Sequence, residues 1–125
     1  MTHDDRYLIL SDGSSKIYFR DPGTLDSVKT INVTDNQGLV NNVNELEYIK
    51  GYIYANQWQT NYILKIDTSS GKVVGKLDLG SIVGEESNKY PGSEVLNGIA
   101  YDSASGKIYI TGKLWPNIFE IKFPL

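Results

Sequence analysis

Short runs in which apolar and polar positions alternate recur along the whole chain. Lys16-Ile17-Tyr18-Phe19-Arg20, Ser27 to Val33, Gly51-Tyr52-Ile53-Tyr54-Ala55, Tyr62-Ile63-Leu64-Lys65-Ile66 and Lys72 to Leu77 are alternating or short apolar runs of strand length, and Leu8-Ile9-Leu10 is a briefer one. Turn-forming clusters separate them: Ser11-Asp12-Gly13-Ser14, Asp21-Pro22-Gly23-Thr24, Thr68-Ser69-Ser70-Gly71 and Ser103-Ala104-Ser105-Gly106. No segment sustains a 3.6-residue period. The stretch from Gly80 to Ser93 is polar and punctuated by glycine and proline, and reads as a loop with a single helical turn at most. The pattern predicts an all-β chain.

The runs also repeat. Ile17 to Asp21 aligns with Ile63 to Asp67, 46 positions on, through the aspartate that opens each turn. Val43-Asn44-Glu45-Leu46 aligns with Leu96-Asn97-Gly98-Ile99, 53 positions on, and Gly51-Tyr52-Ile53-Tyr54-Ala55 with Gly106-Lys107-Ile108-Tyr109-Ile110. A unit of about 50 residues built from about four short strands is the signature of a β-propeller blade. Blade segments are expected at residues 7–33, 43–80 and 95–123 of one incomplete domain spanning 1–125. The first is expected to lack the strand inside Leu8–Leu10, and the last to lack a fourth strand. A ring needs about four blades or more to close. The chain therefore reads as the latter half of a larger ring with exposed blade edges, through which it could self-associate.

Composition narrows the chemistry. Nine Tyr and twelve Gly, with many Ile and Val, suit pleated surfaces and turns. The 12 basic and 15 acidic residues give a net charge of −3, and no basic block offers a nucleic-acid surface. Cysteine is absent, which removes disulfides, thiolate nucleophiles and thiolate zinc sites. The one histidine, His3, excludes a multi-histidine metal site within this chain. No apolar run reaches the roughly 18 residues of a membrane helix, and Met1-Thr2-His3-Asp4-Asp5 does not begin a signal peptide.

Five motifs in order carry a specific resemblance: Ser11-Asp12-Gly13-Ser14-Ser15, Asn44-Glu45-Leu46-Glu47-Tyr48-Ile49, Tyr52 to Thr60 with Asn56-Gln57-Trp58-Gln59, Leu96 to Asp102, and Thr111-Gly112-Lys113-Leu114-Trp115-Pro116. The series resembles the C-terminal half of the plant and bacterial glutaminyl-peptide cyclotransferases. The resemblance implies about two and a half blades of a five-bladed propeller. It implies a chemistry in which the N-terminal Gln of a peptide becomes pyroglutamate and ammonia is released. It implies a peptide or protein substrate with N-terminal Gln, no redox cofactor, no catalytic zinc, and a periplasmic or exported full-length protein. The family's acid/base glutamate lies upstream of the matched part, and neither Glu45 nor Glu47 matches it. A chain without that shuttle is expected to be slower by roughly 10²–10⁴-fold. The competing reading is a non-catalytic propeller repeat that binds or scaffolds.

Aligning Ile53 with Ile108 places Trp58 on Lys113, and aligning Ile17 with Ile63 places Asp12 on Trp58. Three unlike residues thus share one position, the loop after the second strand of each blade, and are expected at one mouth of the channel. A purely structural position would favour one residue type. Trp58 matches a pocket tryptophan of the family, the alternative being packing between blades. Lys113 matches a catalytic lysine able to stabilise an oxyanion, the alternative being a solvated turn lysine. Asn44 matches a substrate-binding asparagine; a turn-forming asparagine is the alternative, and its repeat at Asn97 is the weaker candidate. Asp12 could hold the substrate amine or simply close its own turn.

Overall fold

The alternating runs become strands because each has an apolar face that a neighbouring sheet can cover. In a computed structural model that describes residues 1–122, the first sheet pairs β1 (Thr2–His3), β2 (Leu8–Ser11), β3 (Lys16–Arg20) and β4 (Ser27–Asn32) in that order. A small hairpin, β5 (Thr34–Asp35) and β6 (Gly38–Leu39), leads into the second sheet. That sheet holds β7 (Val43–Ile49), β8 (Tyr52–Gln57), β9 (Tyr62–Asp67) and β10 (Val73–Asp78). One helix, α1 (Gly80–Lys89), precedes the third sheet of β11 (Leu96–Asp102), β12 (Lys107–Gly112) and β13 (Phe119–Ile121). All neighbouring strands in these sheets are antiparallel. Strands β1 and β2 touch β7, and β7 touches β11. Meandering sheets stacked side by side around their first strands make a partial β-propeller. The expected third segment ends at Phe123, which lies outside the described residues.

Two apolar layers hold the sheets together. Ile9, Ile17, Phe19 and Ile31 of the first sheet pack against Leu46, Ile53, Ala55, Leu64 and Ile66 of the second. The opposite face of the second sheet offers Ile49, Tyr54 and Ile63 to Leu96, Ile99, Ile108, Ile110 and Ile121 of the third. Being covered on both sides, the second sheet carries the longest apolar runs, as sheets buried on two faces do. The far side of the third sheet has no such cover. There Ala100, Tyr109, Thr111 and Ile118 help line a shallow depression of about 530 Å³, with Ile118 72% exposed.

Two expectations are corrected. The first sheet does have an innermost strand: β1 is only two residues long, too short to show a period, and Thr2 anchors it on β7. The Thr2 hydroxyl donates to Glu47 Oε1 at 3.0 Å and accepts the Tyr48 N–H at 3.1 Å. The segment from Gly80 onward is a ten-residue helix rather than a loop. Its sequence hides it because no side chain caps its start at Leu79 and Gly84 interrupts its middle. Tertiary contact supplies what propensity does not: Ile82 and Val83 pack on the second apolar layer, and Glu86 is buried beneath the helix.

Two near-copies of one turn show how local sequence sets the strand ends. In both Asp67 to Lys72 and Asp102 to Lys107, an aspartate Oδ1 accepts the N–H two residues on, at 3.0 and 3.1 Å. The glycine N–H then returns to the aspartate carbonyl, at 2.9 and 2.7 Å. Hydrogen bonds from the Ser69 N–H and from the Ser105 hydroxyl hold the two carboxyls below the ordinary aspartate range. Gly71 and Gly106 take the same left-handed conformation, φ +79° and +74°, but a Cβ on Gly71 would collide with the Asn32 carbonyl, while one on Gly106 meets nothing. Gly106→Ala is therefore expected to cost about 1 kcal/mol, from backbone conformation alone. Gly71→Ala is expected to cost about 3 kcal/mol, because Thr34 N–H···O=C Gly71 (3.0 Å) ties the same turn to the first sheet. Urea denaturation of both variants measures the gap; equal losses would show that the Asn32 contact yields freely.

Candidate active site

Register brings the candidate residues to one end of the sheets. Val43, at the start of β7, pairs with Gln57 at the end of β8, so Trp58 follows directly at that edge. Leu96, at the start of β11, pairs with Gly112 at the end of β12, which puts Lys113 in the matching place. Backbone bonds lock both: Trp58 N–H to Asn42 O at 2.7 Å, Lys113 N–H to Val95 O and Glu94 N–H to Lys113 O, both 2.9 Å. The Asp12 loop reaches the same end, where Val43 N–H donates to Ser14 O at 3.2 Å.

The three loops share one backbone feature as well as a place. The residue after each candidate is left-handed: Gly13 at φ 84°, Gln59 at 65° and Leu114 at 61°. Only the first is a glycine, so two of the three loops hold a side chain in a conformation that costs about 1–2 kcal/mol. The loops of Trp58 and Lys113 also close alike, Thr60 N–H to Gln57 O and Trp115 N–H to Gly112 O, both 3.1 Å, whereas in the first loop the Ser14 N–H goes to Asp12 Oδ1.

Asn44 and Asn97 sit just inside these loops. Each lies where the register slips, between Val43 and Leu46 and between Leu96 and Ile99, and such bulges re-aim side chains. The two side chains meet across the sheets, Asn44 Nδ2 donating to Asn97 Oδ1 at 3.2 Å. The Ser11 hydroxyl holds the Asn44 carbonyl at 2.5 Å. On the other side, Gly98 (φ +136°) donates its N–H to Asn56 Oδ1 at 2.9 Å. Asn56 is wholly buried, and its Nδ2 finds no hydrogen-bond partner among the described residues.

The remaining candidates differ in how free they are. Trp58 is 42% exposed and leaves its ring open at the rim. Lys113 Nζ pairs with Glu94 Oε2 at 3.4 Å, both side chains about half exposed, which orients the ammonium at little energetic gain. Asp12 is taken up by its own turn: it accepts from the Ser14 hydroxyl, the Ser14 N–H and the Tyr18 hydroxyl. Those bonds, the Ser14 hydroxyl first, keep its carboxyl below the usual range. Trp115 is structural. Its Nε1 donates to Glu94 O at 2.7 Å and its ring meets Phe119 edge-on at 6.0 Å. Among the described residues, no group of three or more His, Cys, Asp or Glu side chains gathers to hold a metal ion. No helix among the described residues is long and apolar enough to cross a membrane.

Sequence reasoning passed over Glu94, Asn56 and Glu86. Their importance lies in partners distant along the chain: Lys113 for Glu94, Gly98 for Asn56, and Asn117, whose Nδ2 donates to the Glu86 carboxylate at 3.0 and 3.3 Å. No local pattern announces such roles.

A family model described as glutamine cyclotransferase matches residues 1–123. The chain belongs to the glutamine cyclotransferase family. Among characterised proteins it is similar to glutaminyl-peptide cyclotransferase of Arabidopsis thaliana, 38% identical over 120 residues, covering 95% of this chain and 38% of that protein. The crystal structure of Myxococcus xanthus glutaminyl cyclase superposes with a TM-score of 0.89 at 37% identity, over 96% of this chain and 52% of the other. This glutamine cyclotransferase chain thus spans about half, or less, of the length of these relatives.

Proposed function

We propose that the chain serves the cyclisation of N-terminal glutamine in peptides, with release of ammonia. In that reaction the α-amine nitrogen attacks the side-chain amide carbon and closes a five-membered lactam. The amide oxygen gains negative charge as the tetrahedral centre forms. A proton from the attacking amine passes to the departing NH₂, which leaves as ammonia. The chemistry asks for a donor at the developing oxyanion, groups that grip the amide, and a surface that holds the chain end still.

The side chains at the rim meet those needs. The Lys113 ammonium, steadied by Glu94, is the oxyanion donor. Asn44, held at its carbonyl by Ser11 and at its amide by Asn97, offers an amide to the substrate amide. The open indole of Trp58 stacks on the glutaminyl group and attracts its cationic form. The observation that carries this reading is the common end: loops from three sheets, each with a left-handed residue after the candidate and unlike in side chain, border the starts of β7 and β11. Asp12, with its carboxylate already bonded, serves as a wall of the rim more readily than as an amine clamp.

Ammonia release from a glutamine-initiated peptide tests the proposal, with the Arabidopsis relative assayed alongside. The expected result is cyclisation above the spontaneous rate, but roughly 10²–10⁴-fold slower than the relative, because no carboxylate here matches the family's proton shuttle. A rate indistinguishable from the peptide in buffer overturns it.

A further inference from the structure

Beside the rim lies a cleft of about 470 Å³ whose lining, Glu94 apart, the reading above does not use. One wall is Gln59 and Asn61, from the loop that carries Trp58. The second is Ser93 and Glu94, where Glu94 pairs with Lys113. The third is α1, through Val83 and Ser87. The cleft therefore borders the site through Gln59, next to Trp58 in the chain, and through Glu94, the ion-pair partner of Lys113. Its volume lies within the range of about 300–1,000 Å³ typical of ligand clefts.

Its lining suits a peptide main chain. Amides and hydroxyls of Gln59, Asn61, Ser87 and Ser93 can give and accept hydrogen bonds, and Val83 supplies an apolar floor. Ser93 Oγ is buried with no hydrogen-bond partner among the described residues, so a small shift of this wall would bring an unsatisfied hydroxyl to a ligand amide. The α1 wall is fixed in place rather than loosely laid. Glu86, only 2% exposed, accepts from Asn117 in the loop that follows Lys113, so the helix and that loop are held together. That bond ties α1 to the neighbouring loop and so fixes one wall of the cleft.

We propose that this cleft binds the residues that follow the N-terminal glutamine, through their main chain, and so extends recognition beyond the reacting residue. The inference rests on the cyclisation reading, yet it can be tested apart from it. Ser87 is exposed on α1, and Ser87→Trp fills the cleft without touching Asn44, Trp58 or Lys113. Glu85→Trp adds the same bulk on α1 outside the cleft. Calorimetry on the full chain compares a pyroglutamyl hexapeptide of small residues with pyroglutamyl amide, which has nothing to place in the cleft.

The hexapeptide is expected to bind at least about tenfold more tightly than the amide; Ser87→Trp removes that advantage and Glu85→Trp keeps it. In turnover, Ser87→Trp is expected to raise KM for a glutaminyl hexapeptide about tenfold while kcat/KM for glutamine amide stays within about twofold. Equal binding of the two probes, no binding of the hexapeptide, an advantage that survives Ser87→Trp, or one lost equally in Glu85→Trp overturns the inference. Should the binding advantage behave as expected with no ammonia released, the cleft stands and the cyclisation reading falls. Should ammonia be released with no such advantage, the cleft alone falls.

Discussion

Lys113→Ala is expected to lower kcat/KM for glutaminyl peptides by about 10²–10³-fold, chiefly through kcat, as the loss of one oxyanion donor does elsewhere. The loss falls on kcat because the amide oxygen is nearly neutral in the bound substrate and charged only as the lactam closes. An ammonium at that point therefore binds the transition state better than the ground state. Glu94→Gln supplies the contrast. It leaves the ammonium in place but removes the carboxylate 3.4 Å away, an exposed partner worth about 0–1 kcal/mol, so it should slow the reaction by less than about tenfold. Steady-state ammonia assays on the two variants measure both. A Lys113→Ala rate within about threefold of the unsubstituted chain removes the lysine from the chemistry and leaves it as a solvated loop residue.

Ile63→Ala is expected to cost about 2–5 kcal/mol. Ile63 is fully buried on β9 and looks into the layer shared with the third sheet, where Leu96, Ile99 and Ile110 would surround the vacated space. Those neighbours lie on rigid strands and cannot close over the cavity, which places the cost well above simple transfer. For a chain of this size the unfolding midpoint should fall by on the order of 10 °C. Ile118→Ala, on the open side of the third sheet, removes the same number of methylene and methyl groups and should change stability by no more than about 0.5 kcal/mol. Thermal melts of the pair separate contact from exposure; similar losses would mean that the outer face is covered in solution.

The strands of the three sheets are readable in the chain because alternation is a local signal, and the turns because Asp, Ser and Gly act within six residues. The helix is not, since its support comes from Ile82, Val83 and Glu86 meeting groups from other elements. Strand β1 is hidden by its brevity, and the β5–β6 hairpin for the same reason. At the rim, the repeat makes the common position of Asp12, Trp58 and Lys113 legible without coordinates. It does not reveal that the Asp12 carboxylate is occupied by Ser14 and Tyr18, although both lie within six residues of it. The Asn44–Asn97 contact is implied only as a shared motif; that the two amides touch follows from the stacking of sheets 53 positions apart in sequence.

The left-handed residue behind each rim position has a wider meaning. Behind Trp58 and Lys113 the turn closes through main-chain bonds in which neither side chain takes part, whereas the Asp12 carboxylate closes its own turn. Where a loop closes through its main chain alone, an indole can be exchanged for an amine without disturbing the scaffold. Chemical novelty then accrues one side chain at a time, and a hollow bordered by several sockets samples combinations that no individual loop could present.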